Sequence, residues 1–432
     1  MAREMKDSGV EWIGEIPVGW ETRNIKNMFS FGKGLSITKE NLKEQGIAVI
    51  SYGQIHSKLN RFYEISDGLI RFVDESYLET DEQSLVNRGD FIFADTSEDV
   101  EGCGNFIYVD EQQTLFAGYH TIILRSLTQK DNRFFAFLFM SDCWRKQIRE
   151  CVNGVKLFSI SQKLIKRTNI LIPPEEERVR IVNHLEGQCS TIDDVQKKIR
   201  ASIEEYKKLK QAVITQAVTK GIRGDREMKN SGIEWIGGIP SEWKIIRIKW
   251  VLSERKEKSE SGEEELLSMS QKYGIIPTRE MKMIPNMASS FIGAKIVYSG
   301  DLVFNKLKAH LGVFAVSQYN GIVSPDYAVY CTKGIADVKY LEYLFKTPQY
   351  ISEFRKKSSG VGAGLTRLYT DELYSIYCLL PSWNEQEEII CYLNKKIKEI
   401  DNLIEKKEQY LSEIENYKKT LIYEYVTGKK EI

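Results

Sequence analysis

Two segments of the chain bring side-chain amides, cations and aromatic rings together within a few residues. They are residues 51–58, SYGQIHSK, and residues 268–275, SMSQKYGI, and each follows an early predicted strand. Amides and cations can form paired hydrogen bonds with the edges of nucleic-acid bases, and aromatic rings can stack on the bases. These segments predict recognition by hydrogen bonding. The alternative is an ordinary solvated loop at the end of a strand.

The candidate base-contacting residues share hydrogen-bonding side chains in predicted loops or at strand ends. In the first half of the chain they are Lys33, Tyr52, Gln54, His56, Lys58, Arg71, His120 and Lys156. In the second half they are Ser270, Gln271, Lys272, Tyr273, Lys306, Lys308, His310 and Arg367. For His120 and His310 the alternative is a structural histidine bonded within its own fold. Lys306 and Lys308 would project to one side of a strand, where a solvated edge is the alternative to phosphate contact.

The sequence lacks the motifs that bond-breaking chemistry needs. Residues 360–364, GVGAG, follow a basic helix instead of a strand, which favours a loop over a cofactor site. Residues 172–175, IPPE, lack both the amide or acid before the prolines and the aromatic residue after them that an amino-methyltransferase requires. There is no phosphate-binding G-x-x-x-x-G-K-[ST] run, no metal-nuclease pattern and no histidine pair at zinc spacing. We therefore predict no catalytic residue, no metal site and no cofactor bound by this chain.

The composition is that of a soluble protein with two or more hydrophobic cores, since the chain has 432 residues, of which 42% are hydrophobic and 28% charged. No apolar run approaches the length of a membrane span, and the opening MAREMKDSGVEW lacks the apolar core of a signal peptide. The seven cysteines are scattered without a C-x-x-C pair. They predict free thiols in a reducing cytoplasm.

The charges of the chain cancel, with 61 basic and 61 acidic residues. A protein that holds nucleic acid by bulk charge alone is usually strongly basic, because each phosphate contact needs a cation. The balance argues against such a protein acting by itself.

The sequence contains an internal repeat. Residues 5–26, MKDSGVEWIGEIPVGWETRNIK, return at 228–249 as MKNSGIEWIGGIPSEWKIIRIK, a shift of 223. Further along, Pro173 matches Pro381 and Ile192 matches Ile400, a shift of 208. The order is therefore opening, variable middle and helix, each occurring twice. We interpret the tryptophans of the openings, Trp20 and Trp243 among them, as clasps that hold each arm to its domain; base stacking is the alternative.

The two helical segments carry a narrow apolar stripe. In residues 197–218 and 397–426 there is no proline or glycine, and apolar residues recur in seven-residue steps. The steps run through Ile192, Ile199, Tyr206 and Val213, with Val195, Ile203 and Leu209 filling in, and through Ile397, Ile404 and Leu411. This stripe is typical of a coiled-coil seam. The middles contain short β-branched and aromatic runs bounded by Gly, Asp and Asn, each followed by a short helix, which predicts α+β units.

The duplicated plan, the openings GVEWIGEIPVGW and GIEWIGGIPSEW, the runs GDLVFNK and IVSPDYAVY, and LLPSWNEQEEIICYL leading into a long helix resemble the specificity subunit of type I restriction-modification enzymes. The resemblance covers essentially the whole chain. It implies two similar β-rich target recognition domains at 1–170 and 227–379, each reading one half of a bipartite asymmetric DNA site. It also implies helical spacers at 171–226 and 380–432 that pack antiparallel as a coiled coil in a pseudo-two-fold repeat. The chain departs from the pattern at Glu177-Arg178, where the second copy has Glu385-Gln386, and at Gly187, which would bend the first helix.

The resemblance further implies the partners of the chain. They are double-stranded DNA, two adenine-methyltransferase subunits docked on the helices, and restriction/translocase subunits. S-adenosylmethionine, ATP and Mg2+ are expected on those subunits. Bound methyltransferase would also supply the phosphate-neutralising charge that this neutral chain lacks.

Simple geometry agrees with a split site. A helix of roughly 30 residues spans about 45 Å, which exceeds the roughly 34 Å of one duplex turn. Three alternatives stay open. They are a fused nuclease or methyltransferase, a scaffold whose β-rich units bind peptides, and the recognition subunit of a related bipartite system with a fused methyltransferase-nuclease partner.

Overall fold

The structure, a computed structural model, describes residues 3–128, 132–152, 154, 157–270, 273–281, 291–360 and 366–432. The chain divides into two units of mixed helix and strand. Unit 1 comprises Met1–Ile199 with Gln409–Ile432, and unit 2 comprises Arg200–Glu408. Among the described residues, no helix is both long and apolar enough to cross a bilayer. The predicted mixture of helix and strand is confirmed.

Unit 1 is built from short strands, short helices and one long helix. Its strands are β1 (Met5–Asp7), β2 (Glu15–Pro17), β3 (Glu21–Asn24), β4 (Phe29–Lys33), β5 (Ile47–Ile50), β6 (Arg71–Val73), β7 (Leu85–Val86), β8 (Phe91–Ala94), β9 (Thr96–Ser97), β10 (Phe106–Tyr108), β11 (Leu115–Ala117), β12 (Thr121–Ser126), β13 (Phe158–Ser159) and β14 (Asn169–Ile172). Its helices are α1 (Tyr52–Ile55), α2 (Tyr77–Thr80), α3 (Arg133–Met140), α4 (Asp142–Arg149), α5 (Gln162–Ile165) and the first part of α6 (Glu175–Lys220).

Unit 2 repeats this plan with fewer residues. Its strands are β15 (Met228–Asn230), β16 (Gly238–Pro240), β17 (Lys244–Arg247), β18 (Leu252–Glu254), β19 (Leu267–Ser270), β20 (Gly274–Pro277), β21 (Lys295–Val297), β22 (Leu302–Asn305), β23 (Phe314–Val316), β24 (Gly321–Val323), β25 (Tyr327–Thr332), β26 (Ser359–Gly360), β27 (Thr366–Arg367) and β28 (Tyr377–Leu380). Its helices are α7 (Val338–Phe345), α8 (Pro348–Lys357), α9 (Thr370–Ser375) and the first part of α10 (Trp383–Val426).

Each unit is centred on an equivalent four-stranded antiparallel sheet. In unit 1 the strand order is β10-β8-β12-β4, and in unit 2 it is β23-β22-β25-β18. The strand after the Gly-Asp turn, β8 or β22, is buried because both of its faces are covered. Unit 1 has a second sheet, β6-β5-β11-β7, in which β5 and β11 run parallel. The duplicated sequence therefore builds a duplicated framework.

The helix that follows each sheet is divided, whereas the sequence predicts one helix in each copy. In unit 1, Ser141 adopts an extended conformation between α3 and α4 and is the N-cap residue of α4. In unit 2, Thr347 is the corresponding N-cap residue, and Pro348 opens α8 at a position where its missing N–H costs nothing. These local signals override the apolar periodicity.

Both long helices bury one face in each unit. In unit 1 the start of α6 contributes Leu185 and Cys189 to the core, and the end of α10 contributes Tyr425 and Val426. Beyond Cys189, the least exposed residues of α6 recur in steps of three and four, which is the heptad pattern. Val195 and Leu209, expected to fill in the stripe, are instead 41% and 48% exposed, because they fall one residue beside it. The helix α6 runs through Gly187 without a break.

The helix segments run antiparallel within each unit. In unit 2, Lys210 of α6 pairs with Asp401 of α10. Arg223, which follows the end of α6, pairs with Glu388 nearer the start of α10, so the two segments run in opposite directions. In unit 1, Asp193 pairs with Lys418, and the ring of His184 lies 4.6 Å from that of Tyr425.

Each opening forms the expected tryptophan clasp. Trp20 and Trp243 are fully buried, and their indole N–H groups donate to Glu177 and Glu385 at 2.9 Å. An arginine from the same arm, Arg3 in unit 1, pairs with the same carboxylate. Although burial opposes it, hydrogen bonding from Arg3 and Trp20 holds the pKa of the Glu177 carboxyl below its usual value. The long helix is thereby fixed to the N-terminal arm of each copy.

Candidate nucleic-acid interface

An aromatic cluster surrounds Tyr52 in unit 1. The ring of Tyr52 lies 5.6 Å from Tyr119, 5.4 Å from His120 and 6.3 Å from His56. Tyr52 begins α1, where Ser51 and Gln54 form a capping box that ends the preceding strand in a helical turn. The structure therefore brings Tyr52, His56 and His120 together, as their place in one candidate site requires.

The ring of His56 is committed to the fold. Its Nε2 lies 2.8 Å from the carbonyl oxygen of Thr96, and its Nδ1 lies 3.1 Å from the amide nitrogen of Asn105. The amide oxygen of Asn105 in turn accepts from the buried guanidinium of Arg145 at 2.8 Å. Burial, together with the neighbouring charge of Arg149, lowers the pKa of Arg145 to about 9. This arrangement holds the loop after β8 in place and leaves neither nitrogen of His56 for a ligand.

His120 presents its ring to solvent beside a carboxylate. Its side chain is 59% exposed, and its Nδ1 lies 3.2 Å from Oδ1 of Asp95. The hydroxyl of Thr96 donates to the same oxygen at 2.7 Å. The backbone of His120 is left-handed, with φ of 56°, which turns the chain sharply into β12. Asp95 and His120 thus form an exposed polar pair next to Tyr52.

Two backbone segments, residues 33–34 and 117–121, pass unusually close together beside Tyr119 and His120 of this cluster. A Cβ atom built on Gly34 would overlap the carbonyl oxygen of Gly118 and the hydroxyl of Thr121. The amide of Gly34 donates to the carbonyl oxygen of Thr121 at 3.3 Å. Lys33 ends β4 immediately before this point and is exposed. The glycines allow Lys33 and the aromatic cluster to share one edge of the unit.

Gly34→Ala is expected to lower the free energy of unfolding by about 1–3 kcal/mol, because the new methyl group must displace backbone in a packed region. Gly53→Ala is the matched control, since nothing lies within 4 Å of a Cβ built there. We expect it to be neutral or to stabilise by up to about 1 kcal/mol, because alanine restricts the unfolded chain. Urea unfolding followed by circular dichroism measures both. Equal effects of the two substitutions would contradict the close approach.

The remaining candidates of unit 1 that the structure describes bond within their own segments or are exposed to solvent. Gln54 uses its side-chain oxygen to accept from the amide of Ser51 at 3.1 Å. Arg71 donates to the carbonyl oxygens of Gly68 and Ile70, within its own loop. Lys58 is exposed. Lys156 lies outside the described residues.

In unit 2, two segments that are distant in the sequence bring Lys306 and Arg367 together. The amide of Leu368 donates to the carbonyl oxygen of Lys306 at 3.0 Å. Burial, with the nearby positive charges of Lys295 and Arg367, lowers the pKa of Lys306. Arg367 donates to Oδ1 of Asp326 at 2.8 Å. These residues form a polar surface whose cations are close enough to influence one another.

The other candidates of unit 2 surround this surface to different degrees. Nδ1 of His310 lies 3.4 Å from the hydroxyl of Thr366, the residue before Arg367. Ser270 and Tyr273 belong to the β19-β20 hairpin, and Tyr273 is 63% exposed. Gln271 and Lys272 lie outside the described residues. The strand considered for Lys306 and Lys308 is absent, because β22 ends at Asn305 and a turn follows; Lys306 is half-buried and Lys308 is exposed.

The two surfaces occupy equivalent positions of the repeated framework. Ala94 pairs with Thr121 in unit 1, and Asn305 pairs with Tyr327 in unit 2. The next residues outward are therefore Asp95 with His120 and Lys306 with Asp326. A third equivalence follows from the backbone, since Ile160 donates to the carbonyl oxygen of Asp95 at 2.7 Å, just as Leu368 does to that of Lys306. Ser159 thereby corresponds to Arg367.

Sequence reasoning missed Asp95, Tyr119 and Asp326 as members of these surfaces. A signal for Asp95 was present, because it follows the aspartate of a Gly-Asp turn by five residues, as the predicted candidate Lys306 does. Asp326 and Tyr119 carry no such local signal. Their place depends on the pairing of β12 and β25 with the central sheets.

A family model matches part of the first half of the chain. The model, described as Type I restriction modification DNA specificity domain, matches residues 17–205. The MjaX specificity subunit of Methanocaldococcus jannaschii, a type I restriction enzyme subunit, is 25% identical over 96% of this chain and 95% of its own. The EcoKI specificity subunit of Escherichia coli is 20% identical over 96% of this chain and 90% of its own.

Two solved structures share the fold. A chain of a type I R-M system, solved to explain complex assembly and conformational transition, matches with a TM-score of 0.67 at 15% identity, covering 96% of this chain and 99% of that chain. The HsdS subunit from Thermoanaerobacter tengcongensis matches with a TM-score of 0.50 at 15% identity, covering 96% and 98%.

Proposed function

Because this chain belongs to the specificity subunits of type I restriction enzymes, whose role in these systems is non-catalytic, we propose that it reads a bipartite asymmetric site in double-stranded DNA. Each unit reads one half-site, and the long helices dock methyltransferase subunits. The enzymatic steps then belong to the partner subunits.

The observation that carries this proposal is one framework with two different polar surfaces. Equivalent strands present Asp95 and His120 in unit 1 and Lys306 and Asp326 in unit 2. A repeated framework gives both units the same way of approaching a duplex. Exchanged acid and base at equivalent positions give them different hydrogen-bonding preferences. Two such units suit an asymmetric site better than a palindrome.

The helices support a spacer role. Exposure along α6 and α10 follows heptad steps, and the repeat places an aspartate–lysine pair between the helix segments of each unit, Asp193 with Lys418 and Asp401 with Lys210. We propose that these helices form a coiled coil whose outward faces dock two methyltransferase subunits. Restriction/translocase subunits complete the complex, and S-adenosylmethionine, ATP and Mg2+ belong to these partners.

Methylation of cellular DNA tests the function directly. Single-molecule sequencing would compare cells that express the chain together with its cognate methyltransferase subunit and cells that lack the chain. We expect a split, asymmetric methylated motif that depends on the chain. Absence of a new motif, with the methyltransferase shown to be active and bound, would overturn the proposal and favour an interaction scaffold.

The neutral charge of the chain gives a second expectation. With 61 basic and 61 acidic residues, the purified chain should bind its cognate duplex more weakly than the assembled complex, with a smaller dependence on salt, because fewer phosphates are neutralised. Filter binding at several salt concentrations measures how the affinity of the chain and that of the complex change with salt. Tight and fully selective binding by the chain alone would contradict the view that partners supply the missing charge.

A further inference from the structure

The equivalent positions of the two units differ in the hydrogen bonds that their side chains can donate and accept. In unit 2, Lys306 offers an ammonium group that makes no hydrogen bond or ion pair with the described part of the chain. Arg367 stands beside it and is held by Asp326 at 2.8 Å. Both cations are donors only. The equivalent positions in unit 1 carry Asp95 and Ser159.

Guanine is the base that best matches the donors of unit 2. Its major-groove edge presents two acceptors, O6 and N7, and arginine or lysine is the commonest partner of that pair. The carboxylate of Asp326 restricts the orientation of the Arg367 guanidinium, and the backbone bond from Leu368 holds the segment against Lys306. A donor fixed in this way can discriminate between bases, whereas a mobile surface lysine mainly contacts phosphate.

An exocyclic amino group best matches unit 1. Oδ1 of Asp95 accepts from the hydroxyl of Thr96 at 2.7 Å and lies 3.2 Å from Nδ1 of His120. An ionised carboxylate has about four acceptor positions, so capacity for a further donor remains. The side chain of Asp95 is 33% exposed. The partner of an aspartate in the major groove is the N4 amino group of cytosine, and adenine N6 offers the same chemistry.

We propose that these equivalent positions determine how the two half-sites differ. Unit 2 reads a guanine through Lys306 and Arg367, and unit 1 reads an exocyclic amino group through Asp95. The inference rests on the proposed DNA-reading function, since it assigns the bases that each unit prefers.

The guanine assignment is tested in the full complex with the duplex found by methylation sequencing. Each guanine of the half-site read by unit 2 is replaced in turn by 7-deazaguanine, which lacks the N7 acceptor. We expect roughly 5- to 150-fold weaker binding at one guanine, which corresponds to the discrimination of one bidentate pair. In the double variant Lys306→Gln with Arg367→Gln, which lacks both cations, the affinity for the natural duplex should fall by at least the same factor, and 7-deazaguanine should cause no further loss.

A control variant separates base reading from phosphate contact. Lys356→Gln removes an exposed lysine of α8 that pairs with Glu353, and its selectivity should match that of the wild type. If Lys306→Gln and Arg367→Gln weaken binding equally for all sequences, these cations contact phosphate, and the proposal is overturned. Unchanged selectivity in both variants overturns it as well.

An exchange of charges tests unit 1. Asp95→Lys combined with His120→Asp and Ser159→Arg installs the chemistry of unit 2, and the methylated motif should acquire a guanine in the first half-site while the second stays the same. Asp95→Asn provides a milder variant that should relax only the position occupied by cytosine or adenine. If the first half-site is unchanged in the folded variants, the assignment of Asp95 is wrong. A wild-type complex that yields no split motif would instead refute the proposed function itself.

Discussion

Glu385→Ala is expected to lower the free energy of unfolding by about 3–5 kcal/mol, the range for breaking a buried ion pair. The carboxylate of Glu385 is only 5% exposed and pairs with Arg226, itself 10% exposed. It also accepts the indole N–H of the fully buried Trp243 at 2.9 Å. Alanine would leave the buried indole N–H without its acceptor and the buried guanidinium with the exposed carboxylate of Glu242 as its remaining partner. Urea unfolding followed by circular dichroism gives the change.

The matched control for Glu385 lies one turn further along the same helix. Glu388 pairs with Arg223 at 2.8 Å, but both side chains are about half exposed. Exposed pairs contribute about 0–1 kcal/mol, so Glu388→Ala should change the stability by no more than that. If both alanine variants lost the same amount, helix propensity or a general charge effect would explain the loss better than the clasp.

The same clasp occurs in unit 1, and its repetition shows what the openings do. Glu177 accepts from Trp20 at 2.9 Å and from Arg3 at 2.8 Å. Arg3 and Trp20 correspond to Arg226 and Trp243 at the shift of the openings, while Glu177 corresponds to Glu385 at the shift of the helices. Two parts of the repeat with different shifts thus meet at one carboxylate. The N-terminal arm and the long helix therefore make the same contact in both copies.

The framework could be predicted from the sequence because its signals are local and repeated. The openings, the Gly-Asp turns and the apolar steps of the helices each depend on neighbours within a few residues. The division at Ser141 and at Thr347 was missed, although Pro348 provides a local signal for the second break. Apolar periodicity continues across both breaks, so it could not mark them.

The candidate surfaces could be predicted only in part, because they depend on strand pairing. Lys306 and Arg367 have suitable side chains, but the backbone bond between their segments joins Leu368 to Lys306, which are distant in the sequence. His56 looked equally suitable, yet Asn105 and Thr96 occupy both of its nitrogens. Residue type alone cannot distinguish a ligand-facing histidine from one bonded within the fold. The partners come from other strands.

Asp193→Ala is expected to cost about 3 kcal/mol of unfolding free energy, whereas the same change at the equivalent Asp401 should cost less than about 1 kcal/mol. In unit 1, Oδ1 of Asp193 lies 2.6 Å from Nζ of Lys418, and Oδ2 accepts from the hydroxyl of Tyr63 at 2.7 Å. The side chains of the ion pair are only 15% and 11% exposed. Burial, reinforced by the hydrogen bond to Asp193, also raises the pKa of Tyr63.

The repeat itself supplies the control for Asp193. Asp401 and Lys210 stand at the same positions of the second copy and approach to 2.7 Å, but they are 49% and 32% exposed. Removing Asp401 leaves an ammonium that water can solvate, while removing Asp193 leaves Lys418 and the Tyr63 hydroxyl in a place that water reaches poorly. Urea unfolding of both alanine variants therefore compares one interaction in two environments. Equal losses would mean that pairing, and not burial, determines the contribution of this aspartate.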